Sequence, residues 1–181
     1  MRFSRRGAGV VAKLDRVEAG VLTSVVGDLL ELLGGDEAPA TPQDPLAALV
    51  GMPTGAVDKP ADPALARLLP DAYGDDDEAA TEFRRYTEPD LRAGKRAHAT
   101  VVLATLEPYL DRGGKVVLEA AQADAWLLCL NDLRLVLGTR LEVTEDTELE
   151  APPDDPRGQA LLVYGWLGWL QESLLASMAS R

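Results

Sequence analysis

The stretch AWLLCLNDLRLVLGTRL, residues 125–141, places the chain's single cysteine, Cys129, and its single asparagine, Asn131, in an aliphatic run. A thiol acts as nucleophile or redox sensor through its thiolate, which needs an electropositive and accessible setting. Cys129 instead shares a helical stripe with Trp126 and Leu133, and reads as an inert small hydrophobe. With no second cysteine, any oxidation must end in a sulfenic acid, a mixed disulfide or an intermolecular bond. Asn131, Asp132 and Arg134 read as a polar lock that caps, pairs and fixes how neighbouring segments dock. Their functional alternative, recognition of a partner, requires Arg134 or Arg140 to be exposed.

The single histidine, His98, falls on a helical face with Leu91, Val102, Leu106 and Tyr109. Local spacing places no serine, cysteine or carboxylate beside it, so it reads as a neutral side chain at or near the core rather than a general base. Asp75, Asp76, Asp77 and Glu78 lack the alternating ligands and glycine of a calcium loop, and suit a helix start better than a metal. Gly7-Ala8-Gly9 has alanine at the third glycine position of a dinucleotide fingerprint and precedes a strand-like segment, so it is a turn. Phosphate-binding loops, a nucleophile elbow and paired-histidine zinc motifs are all missing. The expectation is a protein with no catalytic residues, no cofactor and no metal, and therefore not an enzyme.

Net charge is −12 over 181 residues, with a pI near 4.5, which opposes a nucleic-acid backbone over most of the surface. Arg2, Arg5, Arg6 and Lys13 form one basic patch before the first acid, Asp15. That patch reads first as a solvated edge; as a site it would meet a phosphate or an acidic partner. No cleavable leader and no long uninterrupted apolar segment are visible, so a cytoplasmic protein without a membrane span is expected.

These residues need elements to position them. RFSRRGAGVVAKL reads as a β-hairpin turning at Arg6 to Gly9. Asp15 and Glu18 open a helix whose apolar positions are Val17, Val21, Leu22, Val25, Leu29 and Leu32, stopped by Gly34 and Gly35. Residues 35–62 form a Pro/Gly-rich wrap with two short helices, capped by Asp44 and Asp62 ahead of proline. One helix runs from the acids at 75–78 to Arg84 and Arg85, and Thr87 with Pro89 starts another. Lys115 to Leu118 form a further short strand, and strand, acidic cap and helix then recur at Leu118, Glu119 and Gln122. The fold class is mainly α: a single helical domain over 1–181 with a small N-terminal sheet.

On the helix of residues 120–141, Trp126, Cys129, Leu130, Leu133, Val136 and Leu137 share one stripe, while Leu128 and Leu135 point the other way. The expected cover for that second face is the last helix, LLVYGWLGWLQESLLASM, reached through an acidic connection at 142–156. Its own surplus apolar side, with Trp166, Trp169 and Leu170, is left for a homodimer or another partner.

The phrases DPALARLLPDAY, EFRRYTEPDLR and AWLLCLNDLRLVLGTRL together resemble one actinobacterial family. Its members long carried a domain-of-unknown-function label, and some are described as oxidative-stress transcriptional regulators of the AosR type. The resemblance implies a mainly helical regulator that acts in part through contact with a stress sigma factor, with cysteines as the sensing chemistry, and the expected partner of such a protein-contact regulator is RNA polymerase or a sigma factor. Cys129 alone cannot form the intrachain disulfide that such chemistry would use. Two other readings stay open: a small-molecule binder or enzyme with a pocket around His98, Tyr109 and Trp126, and a plain structural homodimer. Direct DNA reading through Arg2, Arg5 and Arg6 is a weaker variant.

Overall fold

The computed structural model describes residues 1–7, 9–34, 59–73, 76–147 and 155–179. Strands β1 (Arg2–Arg6) and β2 (Gly9–Leu14) form the hairpin, with Phe3 opposite Ala12. β3 (Gly114–Leu118) adds antiparallel to the other side of β2, with Ala12 opposite Val116, so the sheet order is β1-β2-β3. Strand alternation turns Phe3, Val10, Ala12, Leu14, Val116 and Leu118 inward, and all are buried.

Helix α1 (Arg16–Leu32) starts on a reciprocal capping box: the Glu18 N–H donates to Asp15 Oδ1 and the Asp15 N–H to Glu18 Oε2, each at 2.9 Å. Its buried face keeps Leu22 and Leu29 of the expected set and adds Ala19 and Val26, with Leu33 buried just past its end. Val17 is 71% exposed, and Val21, Val25 and Leu32 lie half-buried along the margin. The apolar arc on this helix is wider than the arc its neighbours cover, and the small Ala19 falls on the covered side.

The short α2 (Pro63–Leu68) is capped as expected, with Asp62 Oδ1 accepting from the N–H groups of Ala64 at 2.8 Å and Leu65 at 3.1 Å. The cap expected at Asp44 lies outside the described residues. α3 (Asp77–Leu106) corrects the reading of two helices, because it runs unbroken through Pro89. An interior proline costs a helix about 3 kcal/mol, so tertiary contacts on both sides must hold the turn. Arg84 is buried and pairs with Asp71, while Glu88, also buried, receives Arg92 Nη2 at 2.6 Å across the proline. Thr87 does not cap a helix; its hydroxyl donates back to the Phe83 carbonyl at 2.9 Å.

A 3-10 turn (Glu107–Tyr109) leads to Gly113 and β3, and α4 (Ala120–Arg140) and α5 (Pro156–Ala179) follow. α4 is the axis of the fold, in contact with α1, α2, α3, α5 and the sheet. Trp126 is fully buried at its centre, with the Phe3 ring meeting it edge-on at 5.7 Å. The second side of α4 is covered in part, with Leu135 half-buried against the core. α5 packs along the flank of Arg134 and Gly138, α2 lies against the C-terminal half, and Leu128 remains 47% exposed. Among the described residues, no helix is long and apolar enough to cross a membrane.

Gly113 makes the joint between helix and sheet possible. Its φ is +66°, and a Cβ there would lie 2.5 Å from the Leu14 carbonyl oxygen. Gly113→Ala should therefore lower unfolding stability by about 2 kcal/mol or more, read by urea denaturation. Gly20→Ala, in an exposed turn of α1 with nothing within 4 Å, should instead raise it by roughly 0.5–1 kcal/mol.

Candidate functional site

Two regions carry the polar and reactive residues: the surroundings of Cys129 on α4, and the face where α5 meets the hairpin. Cys129 sits one turn after Trp126 and is 1% exposed. The Trp126 indole N–H donates to Thr105 Oγ1 at 2.9 Å, and that hydroxyl can in turn donate to the Val101 carbonyl, so the wall beside the thiol has no unmet polar group there. One turn further on, Asp132 is buried and bound to Lys95 Nζ at 2.7 Å, an ion pair that ties α4 to α3. Burial, followed by the Asp132 charge, pushes the Cys129 thiol up to about 12. The result is a protonated, enclosed thiol with no nucleophilic character at neutral pH.

Asn131, Asp132 and Arg134 occupy three different environments. Asn131 is exposed, Asp132 is buried, and Arg134 lies half-buried in the α4–α5 seam. There Arg134 donates to Gln171 Oε1 at 2.7 Å and stacks over the Tyr164 ring at 5.5 Å. Gly168 faces its guanidinium, and Gly138 meets Tyr164, so two glycines let the helices close around one arginine. Asp132 thus bonds to α3 and Arg134 to α5.

His98 is half-buried at the margin of α3, and Leu91, expected on its face, is 42% exposed. Trp126 is enclosed by Phe3 and Thr105, and Tyr109 packs over Gly114. Asp76 caps α3 by accepting from the Ala79 N–H at 3.0 Å, with Asp77 and Glu78 exposed beside it. Among the described residues no group of three or more His, Cys, Asp or Glu side chains is placed to hold a metal. Asp71 receives Lys59 at 3.1 Å and also pairs with Arg84. The hydrogen bond from Lys59, then that from Arg84, holds its carboxyl below the ordinary range, so this contribution to stability is present above that range and lost as pH falls through the lowered value.

The second region brings together the ends of the chain. The Phe3 N–H donates to Ser173 Oγ at 3.0 Å, docking α5 against the outer edge of β1. Beside that contact runs an open groove of about 680 Å³, with Arg2, Ser4 and Arg5 on one wall and Trp169 and Glu172 on the other. Arg2, Arg5 and Arg6 are exposed, and Trp169 is 45% exposed. Leu170, expected on the free side, is fully buried with Leu167 and Leu174, and Trp166 is half-buried against the core. The exposed large apolar side chains of α5 are Trp169, which the sequence places on its free side, and Leu162 and Leu175, which it does not, and the three do not share one face of the helix. Leu162 and Ser173 escaped sequence reading: a fully apolar helix does not announce which flank is covered, and no local signal links Ser173 to Phe3.

A family model described as "Domain of unknown function (DUF2017)" matches residues 1–178. "Oxidative stress regulator AosR" of Mycobacterium tuberculosis (strain H37Rv) is 35% identical over 192 residues, which covers 98% of this chain and 86% of that protein. The Mycobacterium bovis protein of the same name matches to the same extent. A Mycobacterium leprae protein bearing the AosR name is 38% identical over 177 residues, 90% of this chain and 80% of its own length. No solved structure matches.

The thiol's protonation has a pH consequence. Below the ordinary thiol pKa both folded and unfolded chains hold the proton; as pH rises from there to about 12 only the unfolded chain releases it, so stability falls over that window. Native protein at pH 8 should take up no thiol-labelling reagent over minutes, whereas protein in denaturant should take up one equivalent at once. Asp132→Ala, which strands Lys95, should cost roughly 3 kcal/mol in urea unfolding and make the thiol label in the absence of denaturant.

Proposed function

The chain belongs to the DUF2017 family, and from that premise we propose that it is a non-enzymatic regulator of the oxidative-stress response, acting in the cytoplasm through protein contacts. Its partner on this reading is RNA polymerase or a sigma factor, and the output is transcription. The names of the mycobacterial relatives supply the regulatory role. The observation that carries the mode of action is on α5: Trp169 lies open in a groove that it shares with Arg2 and Arg5 of a basic hairpin, on a chain that is otherwise strongly acidic. An exposed tryptophan flanked by arginines is the composition of an interface hot spot.

Cys129 does not serve as the sensor on this reading, since an enclosed thiol with a raised pKa reacts only when the core opens. Direct DNA binding draws little support from a net charge of −12. A pocket around His98, Tyr109 and Trp126 draws none from an indole walled in by Phe3 and Thr105. Self-association could use the same α5 face, with a homodimer as the product.

Titration of purified chain against RNA polymerase core and individual sigma factors by interferometry tests the reading, with light scattering reporting the mass of the chain alone. At least one of these partners should bind in the micromolar range, and Trp169→Ala should weaken binding about tenfold, roughly 1.4 kcal/mol. If the wild-type chain binds none of them at tens of micromolar, the transcriptional reading is wrong.

A further inference from the structure

We propose that the groove between β1 and the C-terminal half of α5 receives an acidic segment of a partner protein, one that carries a single large apolar side chain as its anchor. The proposal deepens the reading of the chain as a protein-contact regulator and rests on it. Arg2 and Arg5 line one wall, Trp169 and Glu172 the other, and the base includes the small side chains of Ser173 and Ala176. Two guanidinium groups therefore outnumber one carboxylate, and Arg6 and Lys13 on the same hairpin are exposed and add to the positive field.

This charge is the reverse of the chain's balance of −12. An acidic ligand is repelled over most of the surface and attracted here, which focuses encounter on one place. The planar guanidinium of Arg2 suits a carboxylate, Arg5, whose Nε already donates to the Gly7 carbonyl at 3.2 Å, adds its charge, and the exposed indole of Trp169 supplies the apolar contact that fixes register. A duplex offers phosphates to the charge but keeps its bases stacked away from the indole, and a groove of about 680 Å³ takes a few side chains rather than a duplex.

The edge of β1 also bears on how the segment binds. The Phe3 N–H is already taken by Ser173 Oγ at 3.0 Å, so at that point no incoming strand can extend the sheet. Around Phe3 recognition therefore comes through side chains, as with a short helix or an irregular peptide laid along the groove.

Selection of random 12-residue peptides displayed against the immobilised full chain tests this directly. The enriched peptides should be net negative with at least one Trp, Phe or Leu. A fluorescent copy should lose about tenfold or more in affinity for Arg2→Glu and for Trp169→Ala, both of which are surface changes. Raising salt from about 50 to 300 mM should weaken it several-fold, and an unlabelled DNA duplex should not displace it. Enrichment of neutral or basic peptides, no enrichment at all, or indifference to both variants overturns the proposal. The two readings also separate from each other. If acidic peptides are selected but polymerase and sigma factors do not bind, the groove stands and the partner class falls. If a sigma factor binds and ignores Arg2→Glu and Trp169→Ala, the groove proposal falls alone.

Discussion

The fold depends on how α4 is enclosed. Its central residue, Trp126, is a large side chain with one polar atom, and burying it is favourable only if the indole N–H finds a partner. Thr105 on α3 provides that partner, and Phe3 on β1 closes the ring from the sheet side. A single residue thus fixes the distance between the long helix and the hairpin. Asp132 and Lys95 repeat the logic one and a half turns on: a buried ion pair contributes little net stability, yet it is costly to break and so fixes which faces of α3 and α4 meet. Cys129 lies between these two ties, and its inertness is a consequence of their geometry.

A second long-range device joins α1 to α3. The last turn of α1 has no basic residue to meet its terminal carbonyls. Arg92 and Arg96 of α3 supply the missing charge: Arg92 Nη1 donates to the Leu33 carbonyl at 2.8 Å, and Arg96 Nη1 reaches the Leu30 carbonyl at 3.3 Å and also that of Gly34. Because Glu88 holds Arg92 from the other side, the proline turn at 89 and the end of α1 belong to one network. This explains why the helix continues where its own sequence invites it to stop.

What could be read from the sequence was what is decided within one turn of helix or one hairpin. Asp15 with Glu18, Asp62 before Pro63 and the turn between Arg6 and Gly9 all carry their cause within a few residues. The mainly helical class, the added third strand and the repeated strand-to-helix entry at Glu119, where the N–H donates to Gln122 Oε1 at 2.9 Å, follow from such signals. What misled was anything decided at a distance. Pro89 looked like a boundary because the pairing of Arg84 with Asp71 is invisible locally. Leu170 and Trp169 are neighbours on an apolar helix, and only the docking of α5 against α4 and β1 separates the buried one from the exposed one. The arginines of the hairpin were visible as a patch; that they share a groove with Trp169 depends on a contact between Phe3 and Ser173 across nearly the whole chain.

The arrangement separates two roles that a redox regulator is often assumed to combine. For Cys129 to meet an oxidant, the contacts of Trp126, Leu133 and Asp132 must first loosen, so its oxidation rate is set by the opening equilibrium of the core rather than by oxidant concentration alone. Such a thiol reports on stability. The α5–hairpin groove lies on the surface and is open in the same structure that encloses Cys129. On the proposed reading, then, this chain contributes a preformed docking face whose strength depends on salt and on Trp169 but not on the redox state of its own sulfur.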